Sequence, residues 1–166
     1  MSKRIAKVGI FVALAMIFSY IEAIVPFNFG IPGVKLGIAN IVVVTSLYQL
    51  SIKETVGISV IRIFLMGVLF GNGLSLIYSL AGGLLSLFGM IFFSKIKIFS
   101  VMGVSVIGGV LHNMGQLIAA AIILKSISLT YYLPVLLVAG VVTGLIIGLL
   151  SDRIIKVLCK TNKSIV

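Results

Sequence analysis

Residues 99–124 read FSVMGVSVIGGVLHNMGQLIAAAIIL, a stretch with no acidic residue, lysine or arginine and a single histidine. As a helix rising 1.5 Å per residue it would be about 39 Å long, more than the ~30 Å hydrocarbon core of a bilayer. Strands of a membrane β-barrel alternate apolar and polar residues, whereas 117–124 (LIAAAIIL) and 133–142 (LPVLLVAGVV) run apolar without alternation. The chain therefore reads as an all-α integral membrane protein. Its composition agrees: 61% hydrophobic residues, a mean hydropathy of +1.35 and no Trp.

Working outward, five further apolar segments fall at 5–25, 36–50, 55–69, 74–93 and 132–155. Between them lie turn signals: two prolines and two glycines in 26–33, FGNG at 70–73, and Lys95 with Lys97. The expected architecture is one transmembrane domain, 1–166, of six helices with no soluble domain. The second and third spans are short and flank Lys53 and Glu54, so four spans with a re-entrant segment is the alternative. The first segment, opened by Lys3, Arg4 and Lys7, superficially resembles a signal peptide, but it has no small-x-small cleavage site and is expected to be retained.

A net charge of +10 would point to nucleic acid in a soluble protein. Here the basic residues stand at segment ends, where they serve as topology signals and lipid-headgroup contacts. With the N-terminus inside, the inner face takes Lys3, Arg4, Lys7, Lys53, Lys95, Lys97, Arg153, Lys156, Lys160 and Lys163; the outer face takes only Lys35 and Lys125. Arg62 is left within the membrane. This partition predicts that both termini are cytoplasmic. The single Cys159 cannot form an intrachain disulfide and has no Cys or His neighbours for a metal site; it reads as a plain thiol, with acylation as the alternative.

Ionisable groups at mid-membrane depth are costly and mark sites. His112, Asn113 and Gln116 have offsets that place them on one side of a helix, as a polar arc in an apolar span. The plainer reading is a set of interhelical tethers worth about 1 kcal/mol each. Arg62 lies seven residues into the third segment, about 10 Å from its inner end. It either pairs with Glu22 or backbone carbonyls, or presents a planar fork to an anionic ligand. The outer loop VPFNFGIPGVKLGIAN is a rigid turn or a lid, with Lys35 and Asn40 as its polar contacts, and Asn72 could face the same opening. Small residues recur at four-residue spacing: Gly140, Gly144 and Gly148 on the sixth span, Gly71, Ser75 and Ser79 at the fourth, and Gly9, Ala13, Ala15 and Ser19 on the first. Most suit intrachain packing, while those of the first helix could dock a separate membrane subunit.

The chain has no glycine-rich phosphate loop, no aspartate clusters for magnesium and no Ser/His/carboxylate set. No metal, cofactor or catalysis is expected.

The motifs PGVKLGIANI (32–41), RIFLMGVLFGN (62–72), SLAGGLLSLFGM (79–90) and VSVIGGVLHNMGQL (104–117) resemble the bacterial Gx transporter family, labelled heptaprenyl diphosphate synthase component I. That family in turn resembles the substrate-binding S components of energy-coupling factor transporters. The resemblance implies six helices in the bacterial cytoplasmic membrane, capture of a small vitamin-like solute from outside, and energy from a T component and two ATPase subunits. It places Lys35 and Asn40 at a lid and Arg62, His112, Asn113 and Gln116 in the pocket. The alanine stripe by which S components dock is matched only loosely, by Gly9 with Ala13 and Ala15 with Ser19. The label itself supplies the rival reading, a non-catalytic membrane accessory of isoprenoid or menaquinone metabolism. A third reading makes the chain a scaffold in a larger membrane complex.

Overall fold

The computed structural model describes residues 2–24, 37–71 and 73–164, and the regular structure within them is helical throughout. The order is α1 (Ser2–Ile24), α2 (Asn40–Gln49), α3 (Ile52–Phe70), α4 (Gly73–Ser94), α5 (Val101–Leu124), a 3-10 turn (Ile127–Tyr132) and α6 (Leu133–Ser164). Among the described residues, α1, α4, α5 and α6 are long and apolar enough to cross a membrane. The other two, the spans read from the sequence as short, fall outside that set. At ten residues, α2 is about 15 Å long, half the depth of a hydrocarbon core. The 19 residues of α3 would suffice in length, but Lys53, Glu54 and Arg62 interrupt them.

Local chemistry sets the helix ends. Ser51 and Glu54 form a reciprocal capping box at the start of α3, and the Ser100 hydroxyl accepts from the Gly103 amide at 3.2 Å to open α5. Lys125 closes α5 in the left-handed region, with φ of 48°. Helices consecutive in the chain run in opposite directions, so most of the basic residues gather at one end. There Arg4 grips the Glu54 carboxylate at 2.6 and 3.2 Å, Lys7 donates to the Gln49 carbonyl at 3.3 Å, and the Gln49 amide reaches Cys159 Sγ at 3.3 Å. At the other end the Tyr20 ring of α1 packs against Phe70 of α3, tilted by 52° with ring centroids 4.8 Å apart. Thus α1 and α3 run parallel.

Arg4, and then Ser51, hold the Glu54 carboxyl down at about 2. Because this lies below the unfolded value of about 4.3, the tie adds stability above that pH and loses it as pH falls towards 2. Arg4→Ala should therefore unfold more easily than the parent at pH 6, and the gap should narrow as pH falls below the unfolded value and close only below about 2, the folded value. A constant gap in detergent unfolding curves would show that the tie does not act through this carboxylate.

Two helix layers hold the molecule together. In the first, α5 packs between α4 and α6 at backbone contact distance. A Cβ added at Gly109 would lie 2.4 Å from the Gly140 carbonyl oxygen, one at Gly144 2.6 Å from Val106 Cα, and one at Gly115 2.6 Å from the Ala81 carbonyl oxygen. The glycine stripe of α6 is thus an intrachain seam, the packing that small residues permit where lipid offers no hydrophobic drive. The second layer is the α1 and α3 pair, with α3 against α4. Between the layers sits α2, rich in Ile and Val and buried from Asn40 to Ser46. Val42 joins Phe11, Ala15 and Ile58 of the α1 and α3 layer, while Ile41, Val43 and Val44 join Leu87, Met90, Val104 and Ile147 of the other. An element covered this way is a plug between helices rather than a lipid-facing span.

Candidate functional site

Arg62 lies ten residues into α3, about 15 Å along it, because the helix begins at Ile52 rather than at 55. It is 7% exposed. Its Nη1 donates to Ser19 Oγ of α1 at 3.3 Å, and its Nε has no hydrogen-bond acceptor among the described residues. One turn further along α1, the buried Glu22 carboxylate attracts the guanidinium and accepts the backbone N–H of Gly37, the residue that leads into α2. Gly37 has φ of +77°, which a side chain would strain.

These groups face a cavity of about 30 Å³ at the seam between the layers. Ser19, Glu22, Arg62, Ile63 and Met66 line it from the α1 and α3 side, Ser79 and His112 from α4 and α5, and Gly37 from the start of α2. The volume accommodates water, which needs roughly 10–15 Å³ by this kind of measure, but falls far short of the roughly 300–1,000 Å³ of a ligand pocket. A vitamin-sized solute requires the two walls to part.

The polar arc of α5 divides by direction. His112 lines the cavity and packs on α4 beside Gly82, and Gln116 lies against the same glycine, 1% exposed. Asn113 turns the other way, its Nδ2 donating to the Leu136 carbonyl of α6 at 2.8 Å, the helix tether that the plainer reading foresaw for such residues. Asn40 is buried at the head of α2, its Nδ2 3.0 Å from where a Cβ on Gly37 would stand, outside the cavity lining. Lys35, Asn72 and the 26–35 loop lie outside the described residues.

The small residues of α1 separate as well. Ala15 and Ser19 are buried against the rest of the bundle and leave no surface for a partner, Ser19 being the hydrogen-bond partner of Arg62. Gly9 and Ala13 are exposed, and Gly9 borders an apolar groove with Arg4, Ile5, Val8 and Glu54. Ser19 was read from the sequence as a packing or docking residue, and Glu22 as one candidate partner of Arg62, to be met only by an outward-reaching side chain. The pattern that places them is Phe11, Ala15, Ser19 and Glu22, whose spacing of four, four and three follows one buried face of α1.

Fold and site together define an α-helical membrane protein with a buried cation between its helix layers. Its family follows from sequence: the family model described as heptaprenyl diphosphate synthase component I matches residues 11–154, and the chain belongs to that family. Neither a curated relative nor a solved structure matches it.

Proposed function

We propose that this protein is the substrate-binding subunit of an uptake system for a small anionic, vitamin-like or cofactor-like solute, in the manner of energy-coupling factor S components. One observation carries the reading: Arg62 and His112, buried at similar depth on opposite helix layers, meet at one cavity. The guanidinium supplies charge and a free Nε donor to a carboxylate or phosphate, and His112 and Gln116 orient neighbouring polar atoms. The protein itself carries out no chemistry on the solute. A T component and two ATPase subunits supply energy, docking on the exposed α1 face at Gly9 and Ala13, with both termini in the cytoplasm.

The family description favours a second reading, a membrane accessory of heptaprenyl diphosphate metabolism in which Arg62 holds a diphosphate. Against a catalytic role in such a pair, the three acidic residues stand apart: Glu22 at the cavity, Glu54 on Arg4 and Asp152 on Lys156. They cannot jointly hold magnesium on a diphosphate.

Native mass spectrometry of the detergent-purified protein, with identification of co-purified small molecules, tests the choice. A water-soluble anion present in the parent and lost in Arg62→Gln and His112→Ala is the expected result. A prenyl diphosphate would transfer support to the accessory role. A folded, ligand-free parent would sink both.

A further inference from the structure

The basic end of the bundle carries two adjoining recesses that take no part in the buried cavity. One, of about 450 Å³, is apolar: Ile5, Val8 and Gly9 of α1 line it together with Arg4 and Glu54. The other, of about 390 Å³, shares Arg4 and Glu54 and adds the hydrogen-bonding groups of Lys7, Gln49 and Ser51. Each is within the range of roughly 300–1,000 Å³ that small-molecule sites occupy. The charges along them do not cancel. Arg4 is neutralised by Glu54, at 2.6 and 3.2 Å. Lys7 is half-buried and donates to the Gln49 carbonyl at 3.3 Å, a neutral acceptor, and among the described residues no carboxylate lies within 4 Å of it. The polar recess is therefore left with one positive charge that lacks a counter-ion.

We propose that the two recesses form one site for an anionic phospholipid of the adjacent leaflet, with its phosphate at Lys7 and an acyl chain along Ile5, Val8 and Gly9. Charge complementarity selects the head, since an ammonium without a counter-ion is satisfied by a phosphate. The apolar recess selects the rest of the molecule: a water-soluble anion would use the Lys7 side and leave Ile5 and Val8 uncovered. Depth agrees, because Lys7 stands about 8 Å along α1 from its first residue, where a helix end passes from headgroups to hydrocarbon. Gly9 leaves the recess open, as a carbon added there would meet nothing within 4 Å. The site goes beyond the uptake reading and is independent of it. The two meet only at Gly9, where an acyl chain and a docking partner exclude one another.

Native mass spectrometry of the full chain in detergent tests the site, with phosphatidylglycerol and phosphatidylcholine of identical acyl chains added in equal amounts. The parent is expected to retain phosphatidylglycerol in preference to phosphatidylcholine. In Lys7→Gln, which can still donate to the Gln49 carbonyl, that preference should fall about fivefold, the effect of one basic residue near an anionic membrane surface. Lys7→Arg should restore it. Gly9→Phe fills the apolar recess and should lower retention of both lipids. Lys97→Gln is the control, because Lys97 is exposed at the same end and lies outside both recesses; its loss should leave the preference unchanged. All three positions are exposed or half-buried, so the variants are expected to fold. A preference that survives in Lys7→Gln overturns the site. An equal fall in Lys97→Gln also overturns it, by showing only a general attraction of basic helix ends for acidic lipid. Undiminished retention in Gly9→Phe removes the acyl chain from the recess and overturns it as well.

Discussion

Gly144→Val is expected to pull α5 and α6 apart and to cost the protein about 3 kcal/mol or more, the upper end of overpacking penalties. The first added carbon would stand 2.6 Å from Val106 Cα and 2.9 Å from the Ser105 carbonyl oxygen, and both obstacles are backbone. A flexible side chain could swing aside, but a helix backbone can only move as a body. Gly109 with Gly140 and Gly148 with Met102 are equally close along the same seam, so moving the helix at one point opens the others. Since α5 carries His112 and Gln116, the site should be lost together with the packing. Gly9→Val is the matched control: nothing lies within 4 Å of its added carbon, and the residue is exposed. Unfolding in mixed micelles with rising SDS should separate the two variants clearly. Equal midpoints would mean that the seam tolerates expansion and is not what fixes α5.

That seam was legible in the sequence, because Gly140, Gly144 and Gly148 recur at the spacing of one helix face and little besides close helix contact explains three glycines there. The helical class was equally legible from the long apolar runs. Depth was harder to read. The segment 36–50 has the composition of a short span, yet its helix begins at Asn40 and serves as a plug, because apolarity looks the same whether a helix faces lipid or other helices. The site divides on similar lines. Arg62 and His112 stood out because charge and imidazole are rare in hydrocarbon, and the structure brings them to one cavity. Asn113 looked equivalent to His112, but one residue of helix turns a side chain by about 100°, and that rotation points it at Leu136 of α6. Glu22 was legible as a candidate partner of Arg62 at the far end of the first helix, and the three- and four-residue steps along α1 bring it round to the cavity that Arg62 lines.

The second large effect concerns that pair. Arg62→Leu and Glu22→Leu should each destabilise the protein by about 3–5 kcal/mol, because each removes one of two opposite charges that attract each other across the buried cavity. The double variant should recover most of the loss, since two leucines at an interhelical seam need no counter-charge and fill comparable space. Recovery should stop short of complete for a specific reason: Leu at 22 still deprives the Gly37 N–H of its acceptor, and Leu at 62 still deprives Ser19 of a donor. A double-mutant cycle by SDS unfolding therefore predicts a large favourable coupling with a residual deficit of about 1–3 kcal/mol. Additive single effects would show that Arg62 is neutralised elsewhere and would remove Glu22 as its counterion. The near-recovered double variant is also the sharpest test of purpose. If stability alone had selected these two charges, the leucine pair would serve as well. A folded leucine pair that no longer retains an anionic solute would show that the two charges are kept for binding at a cost in stability.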